Sequence, residues 1–334
     1  MLEIIQKYLV NTLVKYLPEP HGSLLTGILL GLQDSLPNEF YQALINTGTI
    51  HVVAASGFNT TIVSKVLLDV CSHFLPKKIA LVVACLGILV YVWISGSSPS
   101  VVRAAIMSFF AYLGLFFGRE YLASWSLFLT VGLMLCIDIN LLNSVSFWLS
   151  VSATGGILWL TSGIQAGVSS FERVLVKKGF QLEKPSKTKE SSLTPKILFN
   201  WLLKALRSDL EATMAAQIAT LPIIIVVFGR VSLISPLANV AILWLIPIIM
   251  LLGAFKLFSG GLSSMFGYLW AILVFLPLEA FVRVIYYINT LPYINYTIQI
   301  DSESTKSIVL FCSYLIYFVV YIKWKYRSRS GASV

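Results

Sequence analysis

Residues 231–255 read VSLISPLANVAILWLIPIIMLLGAF, and this stretch contains no Lys, Arg, Asp or Glu. It is longer than the ~20 apolar residues that a helix needs to cross the hydrocarbon core of a bilayer. A backbone inside a bilayer must satisfy its own hydrogen bonds, and an α-helix does so within one segment. The stretch therefore predicts a transmembrane helix.

The rest of the chain has the same character. Of its 334 residues, 57% are hydrophobic and only 12% are charged, whereas soluble domains have about 25% charged residues. So few charges cannot keep a surface of this size in solution, which excludes a cytosolic enzyme and a disordered protein. We predict an all-α fold, a polytopic bundle of helices in an inner membrane. Further uncharged stretches are 79–102, 139–171 and 257–278.

The apolar stretches predict about nine spans, preceded by N-terminal helices that do not cross the membrane. Residues 1–17 place apolar side chains at helical spacing, which is typical of an amphipathic helix at the bilayer surface. Residues 22–32 and 36–46 predict short re-entrant or interfacial helices. The predicted spans are 50–68, 79–95, 99–117, 121–137, 145–162, 209–228, 234–255, 262–288 and 306–322.

Basic residues cluster in two places, with nine between positions 163 and 207 and four in 323–334. Cytoplasmic loops of membrane proteins collect Lys and Arg. With nine spans, both clusters and Lys256 fall on one face, which we predict to be cytoplasmic, and residues 1–49 fall outside. The net charge of +9 would also attract anionic lipid or nucleic acid.

This topology divides the chain into five segments. An external N-terminal segment, 1–49, is followed by a first transmembrane block, 50–162. Residues 163–207 form a basic cytoplasmic insert, which is either a solvated loop or a contact for nucleic acid or a motor protein. A second transmembrane block, 208–322, precedes a basic cytoplasmic tail, 323–334.

Polar side chains inside the spans carry the functional information, because polar groups in hydrocarbon are costly. Two spans contain a polar stripe at helical spacing. Hydroxyl groups alone can bond a neighbouring helix, but the amides of Asn59 and Gln217 need several partners and indicate a hydrated path. The first stripe consists of Ser56, Asn59, Thr60 and Ser64, and the second of Thr213, Gln217 and Thr220.

A third stripe predicts close helix packing rather than a path. Its polar groups are hydroxyls, which serve contacts between helices, and two glycines follow it directly. The stripe consists of Ser146, Ser150 and Thr154, and the glycines are Gly155 and Gly156.

Three arginines near predicted helix ends differ in their electrostatic setting. Arg119 and Arg230 follow the C-terminal ends of spans, where the helix dipole favours a cation. Arg103 lies about one turn into a helix that Ser98 and Pro99 are predicted to begin, where the dipole disfavours it. Its partner is either a carboxylate on another helix or an anion at the outer mouth of a path. The planar fork of an arginine suits phosphate.

The sequence contains no complete motif of the common catalytic or metal sites. The sequence has no GxxxxGK[ST] loop for nucleotide hydrolysis and no paired histidine spacing for zinc. Ser56 with His51 and His73 lacks the GxSG context of a serine hydrolase. We predict no enzymatic activity, no metal site and no cofactor.

Several short motifs occur along the sequence, and their order and spacing are more specific than any one motif alone. Residues 48–59, GTIHVVAASGFN, are similar to a "GxxHLLAISGLH" block, and residues 95–107, SGSSPSVVRAAIM, to "GxxPSxxRAxxM". Residues 147–154, FWLSVSAT, are similar to "FQLSFxAT". Later blocks are AQIATLP at 216–222, FGRVS at 228–232 and LAN at 237–239. In this order, over roughly residues 25–255, the blocks resemble the competence family of DNA-uptake channels of the ComEC type.

The resemblance implies a conduit that admits single-stranded DNA through the bacterial cytoplasmic membrane during natural transformation. Fuller members of the family add an external OB-like domain and a metallo-β-lactamase-like nuclease domain. Neither fits this sequence, so we expect the channel core alone, with a DNA receptor, a nuclease and a cytoplasmic motor as separate partners. Asn59 stands where the family usually has His. The residues expected along the DNA path or in anion contact are His51, Ser56, Asn59, Arg103, Gln217, Arg230 and Asn239.

Two other classes of function stay open. A carrier for a small solute, such as an anion, would use the same interior polar residues. A scaffold for assembly without transport would tolerate their loss. Binding of an oligonucleotide rather than a small anion distinguishes the conduit from the carrier.

Overall fold

A computed structural model describes residues 2–33, 35–177, 195–262, 264–291 and 295–297, together with residues 305, 309, 310 and 312–315. Most of the described residues lie in α-helices, as predicted. The chain divides into two compact units. The first comprises Met1–Val151 and Arg230–Thr297, and the second comprises Ser152–Gly229 and Ile298–Val334.

The first unit begins with short helices and continues with longer ones. Its N-terminal helices are α1 (Leu2–Val14), α2 (His21–Leu30), α3 (Asn38–Asn46) and α4 (Ile50–Val53). They are followed by α5 (Gly57–Phe74), α6 (Lys77–Ile94), α7 (Pro99–Phe117), α8 (Ala123–Ile137) and a 3-10 helix (Ile139–Asn143). Helix α9 (Val145–Lys177) begins in this unit and α10 (Pro195–Phe228) belongs to the second. The first unit then continues with β1 (Arg230–Ser232), α11 (Ser235–Leu243), α12 (Leu245–Leu262), α13 (Ser264–Asn289) and β2 (Asn295–Thr297).

Six helices within the described residues are long and apolar enough to cross a membrane, or seven spans if one bent pair counts. The bent pair is Ser235–Leu243 with Leu245–Gly260, at 43°. The predicted count of about nine spans is not confirmed. Of the remaining two predicted spans, 121–137 coincides with the shorter apolar helix α8, and 306–322 lies largely outside the described residues. The six helices are Ile50–Phe74, Lys77–Ile94, Pro99–Phe117, Val145–Ala166, Arg207–Phe228 and Met265–Asn289.

The outward faces of α6 and α8 are apolar, as a lipid-facing surface requires. On α6, Leu86 and Val90 are 58% and 56% exposed, while Ala80 and Ala84 are fully buried on the opposite face. Small residues allow helices to approach closely inside a membrane. Together with the long apolar helices, these faces identify a multi-pass membrane protein.

Helix α2 is buried along its whole length, since all ten of its residues are buried. It packs against α1, α4, α12 and α13. A Cβ atom added to Gly253 of α12 would lie 2.7 Å from Cδ1 of Leu29, so α12 approaches α2 closely. The predicted short helix at 22–32 is thus confirmed. Its burial favours the re-entrant over the interfacial alternative, because an interfacial helix would keep one face in contact with lipid and water.

Lys256 overturns part of the predicted charge placement. Its side chain is 1% exposed, and its ammonium donates to the carbonyl oxygens of Thr12 at 2.8 Å, Leu13, and Lys15 at 2.9 Å. The last carbonyls of a helix have no partner within the helix and favour a nearby cation. The prediction that Lys256 and residues 1–49 lie on opposite faces of the membrane is therefore wrong.

A two-stranded antiparallel ladder departs from the all-α prediction. Strand β1 pairs with β2 so that Arg230 lies opposite Thr297 and Ser232 lies opposite Asn295. Both strands follow long helices directly or within a few residues. The sequence pattern misses them because three residues are too few to show an alternation of apolar and polar side chains.

The boundaries of the basic insert stay a prediction. Helix α9 continues to Lys177 and α10 begins at Pro195, so the described parts of 163–207 are helical. Residues 178–194 and the tail 323–334 lie outside the described residues.

Candidate functional site

A break in the backbone separates α4 from α5 inside the candidate span Ile50–Phe74. Helix α4 ends at Val53 and α5 begins at Gly57. Between them the carbonyl oxygen of Ala55 accepts hydrogen bonds from the hydroxyls of Ser98, at 3.4 Å, and Ser100, at 3.1 Å. Non-helical backbone at membrane depth is tolerated where protein satisfies its polar groups. Here the two hydroxyls at the start of α7 provide the hydrogen bonds.

The end of α2 reaches the same break. Gly31 has φ +78°, in the left-handed region that favours glycine. A Cβ atom added there would lie 2.4 Å from the Cβ of Ala55. The close contact joins α2 to the break between α4 and α5.

Asn59 links α5 to α2. Its side chain is fully buried, and its Nδ2 donates to the carbonyl oxygen of Ile28 at 2.9 Å. That carbonyl belongs to the last turn of α2, where carbonyls have no intrahelical partner. The Oδ1 atom of Asn59 is buried and has no hydrogen-bond partner among the described residues. Asn59 thus has a structural role in this conformation and does not face an open path.

Ser56 begins α5 as its N-cap, and its Oγ accepts a hydrogen bond from the backbone N–H of Asn59 at 3.3 Å. The other members of the same stripe are also satisfied within the protein. Thr60 donates to the carbonyl of Ser56, and Ser64 shares a 2.7 Å hydrogen bond with the hydroxyl of Tyr112 in α7. The hydroxyls of this stripe serve helix packing.

Arg103 lies at the N-terminal end of α5. As predicted, Ser98 is the N-cap of α7 and Pro99 is its first residue. Arg103 is 7% exposed, its Nε donates to Oγ of Ser150 at 2.8 Å, and its Nη1 lies 3.8 Å from Sδ of Met107. The break therefore places Arg103 beside Gly57, the residue that follows the N-cap Ser56.

Gly57 sets the distance between Arg103 and α5. A Cβ atom added to Gly57 would lie 2.6 Å from Nη2 of Arg103. A helix N-terminus carries partial positive charge, and Arg103 lies about one turn from the N-terminus of α7 as well as against that of α5. Three positive groups thus converge, and such a group of N–H donors is suited to an anion.

The other candidate residues of the first unit lie on α4, β1 and α11. His51 is exposed on α4. Asn239 is 2% exposed on α11, and its Oδ1 is buried without a hydrogen-bond partner among the described residues. Arg230 begins β1, directly after α10, as predicted from its place beyond the end of a span. Ser235 of α11 donates to the carbonyl of Gly48, which ties α11 to the segment before α4.

Gln217 belongs to the second unit, where it is half-buried on α10. Thr220 donates to the carbonyls of Ala216 and Gln217 in its own helix. The predicted packing role is confirmed for Gly156, because a Cβ atom added there would lie 2.5 Å from the carbonyl oxygen of Ala215.

Sequence reasoning missed two polar interactions of the first unit. The sequence predicts only a packing role for Ser150, whereas the structure shows that it accepts the hydrogen bond from Arg103. His21 of α2 lies with its Nε2 2.6 Å from Oε2 of Glu279, and Arg283 pairs with the same carboxylate. The sequence did contain a sign of the interaction between His21 and Glu279, because Glu279 directly follows the uncharged stretch 257–278.

Metal-binding clusters are absent from the part of the chain that the structure describes. No group of three or more His, Cys, Asp or Glu side chains is arranged there to hold a metal ion. The expected absence of a metal, a cofactor and catalysis stays a prediction.

Two curated proteins are similar to parts of the chain. An uncharacterized protein of Aquifex aeolicus (strain VF5) is 33% identical over 137 residues, which cover 41% of this chain and 32% of that protein. The uncharacterized protein YcaI of Escherichia coli (strain K12) is 22% identical over 253 residues, which cover 73% of this chain and 30% of that protein. The chain spans about a third of the length of these relatives. No solved structure matches it.

The family comparison covers most of the chain. The Competence protein family matches residues 28–326, a range that includes the break between α4 and α5, Arg103 and the ladder of β1 with β2. This protein belongs to the Competence protein family.

Proposed function

We propose that the protein is a membrane conduit that imports single-stranded DNA through the bacterial cytoplasmic membrane in natural transformation. Membership in the Competence protein family supports a role in DNA uptake. The single observation that carries the proposal is the position of Arg103. Its Nε lies 2.8 Å from Oγ of Ser150, and its Nη2 lies against the N-terminus of α5, at the break in a candidate membrane span.

The chemistry of this cluster fits a phosphate group. A guanidinium donates through a planar fork that matches two phosphate oxygens, and the N-terminus of α5 adds oriented N–H groups. Phosphates recur along a strand, so a conduit needs contacts that attract each one and then release it. A buried arginine at a helix break meets both needs when it is exposed only during passage.

The cluster is closed in this conformation. Arg103 is 7% exposed, so phosphate contact requires α5 and α7 to separate at Gly57. A membrane conduit must close when no strand passes, because an open path would let ions leak. We therefore take the contact between Gly57 and Arg103 as the closed state of a gate.

The proposal includes an arrangement in the membrane. We propose about nine spans, with the basic segments 163–207 and 323–334 in the cytoplasm, on the positive-inside rule. We also propose that the protein is not an enzyme. Force then comes from a cytoplasmic motor or a gradient, and separate proteins supply the DNA receptor and the nuclease.

Uptake of fluorescent DNA tests the proposal. The bacterium that carries this gene is compared with a deletion strain and with the same strain after the gene is restored. We expect deletion to abolish accumulation of label inside the cell and restoration to recover it. Equal accumulation in all three strains refutes the proposal.

A carrier for a small anion is the second candidate. The observation that favours it is the compactness of the cluster, since one guanidinium beside one helix N-terminus suffices for a single anion. Binding to the purified protein separates the two functions. A conduit binds a single-stranded oligonucleotide more tightly than inorganic phosphate or sulfate, and a carrier shows the reverse order.

A further inference from the structure

Helix α5 carries two polar faces. The first is the stripe of Ser56, Asn59, Thr60 and Ser64, which packs against α2 and α7. The second consists of residues that are exposed and recur at positions i, i+4, i+8, i+11 and i+12, so they share one side of the helix. We call this set the outer face of α5. Its polar members are Thr61, Lys65, Asp69, Ser72 and His73, and Phe58, which is 45% exposed, lies on the same side.

The outer face lies within a candidate membrane span. Helix α5 has 18 residues within the candidate span Ile50–Phe74, and a rise of 1.5 Å per residue places Lys65 about 12 Å from either end. Charged side chains at the centre of a bilayer are costly, and they normally face a bundle interior or a water-filled cavity. Lys65 and Asp69 are therefore not expected to face lipid.

Neighbouring helices show what a lipid-facing surface looks like in this protein. The exposed residues of α6 between its ends are apolar, and they include Val82, Leu86 and Val90. On α8, Trp125 and Phe128 are 66% and 60% exposed. The outer face of α5 differs from both in having three ionisable groups at successive turns, Lys65, Asp69 and His73.

The charges of the outer face are not neutralised inside the chain. Among the described residues, neither Lys65 nor Asp69 takes part in an ion pair or a hydrogen bond through its side chain. Helix α5 packs against α6, α7 and α12 through its other sides. Contact with water would stabilise the charges of Lys65 and Asp69 in this position, whereas contact with lipid would not.

We infer that the outer face of α5 is the wall of a water-filled path through the membrane. The inference rests on the proposed function, because the path is taken to be that of the DNA strand. Lys65 supplies a cation for the phosphates, while Thr61 and Ser72 supply hydroxyl donors. Asp69, one turn from Lys65, keeps the attraction weak enough for the strand to move on. The hydrated wall is thus the outer face, and the stripe that contains Asn59 lies on the packed side.

Thiol modification tests the inference. The four native cysteines are first replaced by Ser or Ala, and single cysteines are introduced as Thr61→Cys and, as its control, Val90→Cys. Because α5 and α6 form a hairpin around Pro76, these two positions lie at matched depth. A second control, Thr60→Cys, places the thiol on the packed side of α5. The native cysteines are Cys71, Cys85, Cys136 and Cys312.

Permeabilised membranes are treated with a water-soluble cationic thiosulfonate, and the rate of modification is measured for each variant. We expect Thr61→Cys to react at least about tenfold faster than either control, because the reactive thiolate forms in water and not in hydrocarbon. A rate equal to that of Val90→Cys places the outer face in lipid and overturns the inference. Protection of Thr61→Cys together with disulfide cross-linking between two chains shows that a second copy covers this face, and it overturns the inference as well.

DNA uptake is measured in the same cells, so that the two proposals can fail separately. A reactive Thr61→Cys in a protein whose deletion leaves uptake unchanged supports the hydrated wall and refutes the DNA conduit. An unreactive Thr61→Cys in a protein required for uptake refutes the hydrated wall and leaves the conduit standing.

Discussion

Replacing Arg103 by Gln removes a positive charge from the point where α5 begins, while it keeps a side chain with N–H donors. The guanidinium donates to Ser150 at 2.8 Å and contacts the start of α5 through Nη2. If the anion that Arg103 serves is a DNA phosphate, the substitution removes the attraction for the strand and leaves most of the packing in place.

The size of the effect follows from the contacts that are lost. A hydrogen bond to a charged group contributes about 1.5–3 kcal/mol. One such contact with phosphate in the rate-limiting step of passage corresponds to at least about tenfold in rate, since each 1.4 kcal/mol is a factor of ten. We therefore expect Arg103→Gln to lower DNA uptake at least about tenfold. Arg103→Lys keeps the charge but loses the planar fork, so its uptake should be intermediate.

Uptake of fluorescent DNA and the amount of protein in the membrane are measured for each variant. Ser150→Ala is the matched control, because it removes the acceptor of the 2.8 Å hydrogen bond and leaves the guanidinium in place. We expect Ser150→Ala to retain most of its uptake, and all three variants to reach nearly the level of the unmodified protein.

Two results would refute this reasoning. An Arg103→Gln protein that is lost from the membrane shows that the partner of Arg103 is structural, since removing one member of a buried charge pair costs about 3–5 kcal/mol. An Arg103→Gln protein that is present and fully active shows that Arg103 does not contact the strand.

Three further predictions concern stability and orientation. Asn59→Leu should lower the free energy of unfolding in detergent by about 1–3 kcal/mol, because it strands the carbonyl at the end of α2; an unchanged midpoint of thermal unfolding would contradict the role of that hydrogen bond. Lys256→Met should release α1 and make its C-terminal end sensitive to protease, and Lys77→Met, at an exposed position, serves as the control. A reporter fused within 163–207 should behave as cytoplasmic, and labelling of the insert from outside intact cells would overturn the proposed topology.

Sequence reasoning succeeded where a local rule decides the structure. The pair Ser98 and Pro99 predicted the first residue of α7, and the apolar stretches predicted spans that coincide with the six helices long and apolar enough to cross a membrane. The two glycines after the third stripe predicted the close approach that the structure shows at Gly156. In each case the information lies within one segment.

Sequence reasoning could not tell which side of a helix is packed. In a soluble protein the apolar side of a helix is the buried one, but lipid and protein interior are both apolar, so hydrophobic periodicity alone does not separate them. The stripe of Asn59 was therefore read as the wall of a path, although it packs against α2. Lys256 failed for a related reason, because its role as a cap of α1 depends on contacts 241 to 244 residues apart in the sequence.

Passage of DNA into the cell, separated from its binding at the surface, tests the central claim most directly. Single-stranded DNA with a fluorescent label is added to the deletion strain and the restored strain, and external nuclease then removes whatever has not crossed the membrane. The account predicts that both strains bind the same amount of label before nuclease, and that only the restored strain keeps label afterwards. Equal nuclease-resistant label in the two strains would contradict the conduit, and a loss of surface binding in the deletion strain would show that the protein acts as a receptor instead.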